Sequence, residues 1–256
     1  MKSVIQICNL AIIVVFTAAS LSCSNKLHIK KEPVNTEVKK EVMAVKPLRE
    51  TVMTAEEQKA LTPDIILQSL VDGNKRFLNN NVTARDHSKL VRAASNGQYP
   101  KSVILSCVDS RIPVEDVFDK GIGDIFVARV AGNFVNEDIL GSMEFACKIS
   151  GAKLILVMGH SNCGAIKAAI DDVKMGNITA MLSKIKPAVA MSQQFEGEKI
   201  SKNYAFTDTV GKNNVLNTIE MIKTQSPVLK EMLEKGEIKI AGAYYNMKTG
   251  EVIFIN

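Results

Sequence analysis

Two short runs in this sequence carry the residue types of a metal site: Ser106-Cys107-Val108-Asp109-Ser110-Arg111 and Gly159-His160-Ser161-Asn162-Cys163-Gly164. Two thiolates and one imidazole are soft-to-borderline ligands that suit Zn2+. Three protein ligands leave a tetrahedral ion one position for water, the arrangement of a catalytic rather than a structural zinc. No further Cys or His stands near either run. Asp109 is a candidate to fill or guard the fourth place, and Arg111 to hold the Asp109 carboxylate by a forked hydrogen-bond pair. At strand period, positions 107, 109 and 111 would point the same way. Taken singly, each cysteine reads as a small buried apolar residue and the histidine as a satisfied turn residue. The joint pattern is what points to a reactive centre.

Positioning these residues requires rigid elements. Val103-Ile104-Leu105 precedes the first run and Leu154-Ile155-Leu156-Val157-Met158 the second. Such apolar runs predict buried strands of a parallel sheet. Cys107 and His160 would then leave strand ends, the edge where open α/β sheets bind ligands. Ala165 to Ile170 predicts a helix that places the Cys163 sulfur at its N-terminus, where partial positive charge favours thiolate.

The other elements alternate in the same manner. Thr62-Pro63 predicts a helix start, and Ile65, Ile66, Leu70 and Phe77 give that helix an apolar stripe. Further helices are expected over 88–96, 114–119, 137–149, 208–225 and from Pro227 to Glu234. Strands are expected at Ile125 to Val130, Ile238 to Tyr245 and Glu251 to Ile255. Residues 175–210 mix short helical stretches with polar loops and suggest no task. The expected fold class is α/β, a central, mainly parallel sheet flanked by helices, with an N-terminal helical arm.

Composition adds bounds. Hydrophobic residues make up 46% of the 256 and aromatics 5%, so the core should be aliphatic with Met as filler. The net charge of +5 is concentrated near the N-terminus, where residues 24–50 hold seven Lys/Arg against four Glu. The remainder is close to neutral, which argues against nucleic-acid binding. Five cysteines show no disulfide framework, and Cys147 reads as a core thiol. Lys2, the apolar run Leu10 to Ala19 and the small residues before Cys23 predict an export signal over residues 1–22. Ala18-Ala19-Ser20-Leu21-Ser22-Cys23 resembles a bacterial lipoprotein cleavage site, with Leu21 one place later than usual. That resemblance implies lipid attachment at Cys23 and an exported, periplasmic or cell-envelope location. Residues 23–53, polar and Lys/Glu-rich, predict a disordered tether, and residues 54–256 the folded domain. His28 and His87 read as solvated.

Cys-x-Asp-Ser-Arg followed by His-x-x-Cys resembles the β-class carbonic anhydrases. So do Gly73-Asn74-Lys75-Arg76-Phe77, Gln98-Tyr99-Pro100, Gly123 to Arg129, Ala131-Gly132-Asn133 and Gly141 to Ala146. The likeness runs over residues 60–256. It implies reversible hydration of CO2 to bicarbonate and a proton, with zinc held by Cys107, His160 and Cys163. Asp109 and Arg111 become the dyad beside the metal, Asp109 also serving as a fourth ligand in an inactive form. Gln98, Phe126, Ala131, Gly132, Phe145 and Gly164 become the CO2 pocket, and a homodimer or larger homo-oligomer the assembly. Phe145 stands where many plant-type members have Tyr, so a hydroxyl is missing there. The chain has no Trp, so the inhibitory bicarbonate site of a second subgroup is not expected. The rival activities are carbon disulfide or carbonyl sulfide hydrolysis on the same fold, and non-catalytic zinc binding by a lipoprotein.

Overall fold

The computed structural model describes residues 51–255. The export segment, nearly all of the tether and Cys23 lie outside them. Three helices lead into the sheet: α1 (Ala55–Ala60), α2 (Pro63–Leu78) and α3 (His87–Ala94). Thr62 caps α2 by accepting from the Ile65 amide, and Pro63 takes the first position, where a missing N–H costs nothing. Ile66 and Leu70 of α2 are buried against the sheet of the same chain, whereas Ile65 is 54% exposed.

The central elements follow as β1 (Ser102–Ser106), α4 (Val114–Val117), β2 (Ile125–Arg129), α5 (Glu137–Glu144), β3 (Leu154–His160) and α6 (Gly164–Ile170). Then come α7 (Gly176–Ser183), α8 (Lys186–Met191), α9 (Tyr204–Gln225), α10 (Pro227–Glu234), β4 (Lys239–Tyr245) and β5 (Val252–Ile255). The single helix expected over 137–149 changes character: α5 ends at Glu144 and continues as a π-helical turn, Phe145–Ile149. α9 starts at Tyr204 rather than near 208, because the Asn203 side chain caps it by accepting from the Ala205 and Phe206 amides.

The sheet order is β2-β1-β3-β4-β5, with only β5 antiparallel. This is the mainly parallel, helix-flanked sheet that the alternation predicts. From β1 the chain passes to β2 on one side, then crosses back so that β3 lies on the other. Such a reversal opens a crevice at the carboxyl ends of the two strands. Leu105 pairs with Val157, so Cys107 and His160 leave the sheet at that same edge.

Side chains alternate between two cores. Val103, Leu105, Ile155 and Val157 pack with residues of α5, α9 and α10. Ile104, Leu154, Leu156 and Met158 pack with α2 and α4. A third cluster gathers Cys107, Cys163, Phe134, Ile166, Leu182, Ile185, Ala188, Phe206 and Val210. The stretch from 175 to 210 thus acquires a task, since α7, α8 and the start of α9 wall in the two cysteines. Among the described residues, no helix is long and apolar enough to cross a membrane.

Candidate metal centre

Cys107, His160 and Cys163 converge, their ligand atoms all lying within 4.8 Å of one another, and all three residues are buried. His160 Nδ1 lies 3.0 Å from the Ser161 carbonyl oxygen. A carbonyl only accepts, so Nδ1 carries the proton and Nε2 is left with a lone pair. Nε2 is buried and has no hydrogen-bond partner among the described residues. That is the state of an imidazole held ready for a cation, with a backbone carbonyl fixing the tautomer.

Both cysteines are free thiols rather than a disulfide. A hydrogen bond from Cys163 draws the Cys107 thiol well below the usual thiol range. The same bond, together with burial, pushes Cys163 up. A dication binding there would displace whatever proton the two sulfurs hold. The first-turn amides of α6 at Ala165 and Ile166 face the Cys163 sulfur, as expected for the residue that opens the helix. The Gly132 amide donates to the Cys107 sulfur at 3.4 Å. Two buried sulfurs with backbone donors, beside an unpartnered imidazole nitrogen, fit zinc.

Asp109 and Arg111 pair as expected, but not by strand spacing. β1 stops at Ser106, and Ser110–Arg111 form a turn in which the Ile112 amide reaches the Asp109 carbonyl at 3.2 Å. Arg111 then donates from Nε to Oδ1 at 2.8 Å and from Nη2 to Oδ2 at 2.7 Å, and its own amide donates to Oδ1 at 3.0 Å. The Arg111 side-chain bond holds Asp109 at a pKa of about 2, against the pull of partial burial. Asp109 does not belong to the converging ligand set. Both of its oxygens are bonded to Arg111 instead.

The candidate pocket residues divide. Gly132 touches the Cys107 sulfur, with Ala131 preceding it in the chain, and Gly164 directly follows Cys163. Phe126 and Phe145 lie elsewhere: their rings meet each other at 6.4 Å, in a cavity of about 660 Å3 that Val103 and Ile139 also line. Phe126 pairs with Val103, about 13 Å of strand before Cys107 at 3.3 Å per residue. Gln98 is exposed ahead of β1, at the opposite edge of the sheet.

Arg129 plays a part that its sequence position did not reveal. From the last place of β2 it donates to the Cys107 carbonyl at 2.8 Å and to the Asp109 carbonyl at 2.5 Å, pinning the loop that carries ligand and dyad. The usable signal was a charged residue closing an apolar strand at the ligand edge. The second loop is pinned as well. Lys167 bonds the Asn162 side chain, and the Ser161 amide donates to the Tyr245 carbonyl at 3.0 Å.

Comparison with known proteins gives one consistent picture. A protein-family model described as carbonic anhydrase matches residues 102–252. Carbonic anhydrase 2 of Mycobacterium tuberculosis is 30% identical over 192 residues, covering 73% of this chain and 89% of that one. The carbonic anhydrase of Mycolicibacterium smegmatis is 29% identical over 191 residues, covering 72% and 89%. Among solved structures, the β-carbonic anhydrase CcaA superposes with a TM-score of 0.60 at 24% identity, covering 75% of this chain and 95% of that one. A structure from a study of two tetrameric β-carbonic anhydrases of Sordaria macrospora gives 0.59 at 19%, covering 75% and 95%. At these identities the two superpositions speak to the fold.

Proposed function

This chain belongs to the carbonic anhydrase family, and from that premise we propose that it catalyses reversible hydration of CO2 to bicarbonate and a proton at a zinc ion held by Cys107, His160 and Cys163. The observation that carries the reading is the convergence of those three buried side chains at the carboxyl edge of β1 and β3. When bound, zinc supplies Lewis acidity that brings the pKa of a water down to about 7, a value itself established on a carbonic anhydrase.

The chain's own residues do the rest. Asp109 stays ionised throughout the physiological range because Arg111 forks onto it. A permanently charged carboxylate accepts a hydrogen bond and gives none, so it orients a water by one O–H and leaves the oxygen lone pair directed at the substrate. The apolar wall of Ile166, Ile185 and Phe134 keeps bulk water from the cysteines. Zinc content and stopped-flow CO2 hydration of the purified chain test the reading. A protein that holds zinc but turns over carbon disulfide or carbonyl sulfide in place of CO2 would replace it, and one that holds zinc and turns over none of them would reduce it to a binding protein.

A homodimer, or a multiple of one, belongs to the same proposal. Gln98, Phe126 and Phe145, the pocket residues implied by family likeness, do not reach the metal centre of their own chain. Among the described residues β2 ends the sheet and its outer edge is unpaired, and Phe145 is 50% exposed next to it. A second copy placed against this edge could bring these residues to the first copy's centre. Phe126→Arg should then yield monomers that keep zinc and lose turnover, read by sedimentation and metal analysis together.

The lipid anchor at Cys23, the export signal over 1–22 and the tether over 23–53 complete the reading, supported by the sequence pattern alone. Lipid labelling of the wild-type chain but not of Cys23→Ser is the expected result, and equal labelling would remove the anchor.

A further inference from the structure

The Gly132 amide that donates to the Cys107 sulfur lies in a turn closed by the Asn133 amide on the Val130 carbonyl at 2.9 Å. Gly132 has φ +85° and Asn133 φ +40°, both left-handed. A Cβ at Gly132 would fall 2.4 Å from Ile185 Cδ1, so the turn is wedged against the wall of the centre and only glycine fits there. Two carbonyls of this turn are each met by a buried side chain of α9. Asn214 Nδ2 donates to the Gly132 carbonyl at 2.7 Å, and Thr218 Oγ1 donates to the Asn133 carbonyl at 3.3 Å. Both residues have 0% exposure. They are four apart, so they rise from one face of the helix.

α9 is itself fixed to the strand that carries His160. A Cβ at Gly159 would lie 2.8 Å from Val215 Cγ2, and one at Gly242 3.0 Å from Val215 Cγ1. The small residues of β3 and β4 thus let the helix approach the sheet closely at the residue next to Asn214. One helix therefore spans both halves of the ligand set, packing on the His160 strand and gripping the turn that touches Cys107.

We propose that Asn214 and Thr218 are positioning residues for the metal centre, holding the Gly132 N–H on the Cys107 sulfur so that the ligand is aimed before the ion arrives. The inference rests on the zinc reading above. Outer-shell donors of this kind orient a ligand and raise its affinity for the metal. The turn carbonyls, buried and accept-only, have no donor but α9 among the contacts of the described residues.

The test uses the full chain with Thr218→Val, which keeps the shape and removes the donor, Asn214→Leu, and Thr218→Ser, which keeps the hydroxyl. Zinc affinity is read by competition with a chromophoric chelator. The cobalt-substituted protein is read by its near-ultraviolet thiolate-to-metal absorption, which a role in folding alone would not move. Thr218→Val and Asn214→Leu should bind zinc about 10- to 100-fold more weakly and shift that absorption, while Thr218→Ser stays close to wild type. A folded Thr218→Val protein with wild-type affinity and an unmoved spectrum would overturn the inference and leave the zinc centre standing. A wild-type chain that takes up no zinc would overturn both.

Discussion

The Asp109 carboxylate and the Arg111 guanidinium form a closed fork, 2.8 Å from Nε to Oδ1 and 2.7 Å from Nη2 to Oδ2, made within a single turn after β1. The fork keeps Asp109 ionised, and its carboxylate is not one of the converging ligand atoms. Replacing Asp109 by Asn should retain zinc and reduce turnover about 10- to 100-fold, the range for losing a group that aligns the metal's environment. Arg111→Lys should act in the same direction, because a point charge cannot form the planar fork. Metal analysis beside stopped-flow kinetics checks this, and an Asp109→Asn enzyme with unchanged kcat would remove the dyad from the mechanism.

Cys107→Ser and Cys163→Ser should each lose zinc and activity together, since a hydroxyl does not ionise where a thiol does. Ligand binding to the native state raises its stability by mass action. Added zinc should therefore raise the melting temperature of metal-stripped wild type and leave both variants where they were.

Acid stability should report on a site remote from the metal. Burial alone would raise the Asp119 pKa, but hydrogen bonds from Arg76, Thr83 and Arg85 overcome it and hold the carboxyl at about 2. A depressed carboxyl stabilises the fold above its unfolded value of 3.8, and that stabilisation is lost as pH falls towards 2. For this buried group the contribution is about 2 kcal/mol. Denaturant melts between pH 5 and about 2.5 should fall steeply in wild type, and Asp119→Asn should start lower and fall less.

Gly132→Ala should destabilise the domain by about 1–3 kcal/mol, from left-handed strain and overpacking together. Ile185→Val removes the Cδ1 atom that meets the new methyl group at 2.4 Å. The double variant should recover the packing part and not the backbone part, as read from urea midpoints.

Much of this protein was legible before any coordinates. The ligand types stand in adjacent letters, the apolar runs announce buried strands, and Thr62-Pro63 and Pro227 announce helix starts, because period and capping are local physics. The Gly73-Asn74 motif was visible but its task was not. A Cβ at Gly73 would lie 1.9 Å from the Phe118 carbonyl oxygen, and Asn74 bonds the Val117 and Gly250 carbonyls and the Val252 amide, lacing α2 to distant elements. Strand spacing gave the right Asp109–Arg111 partnership by the wrong route, since a turn makes it.

The sequence by itself determined the candidate ligands, two sulfurs and one imidazole, and the carboxylate and guanidinium that follow the first sulfur, each placed just past an apolar run. Only the tertiary structure decided which of these meet. β1 and β3 are neighbours although β2 lies between them in the chain, and that crossing brings Cys107 to His160. The same order leaves Phe126 and Gln98 away from the centre of their own chain and puts Ile185 and Asn214 against the Gly132 turn. Local patterns fix the conformation of a segment within a few residues, whereas contacts across tens of residues depend on strand order and helix packing, which are settled by the burial of the whole core.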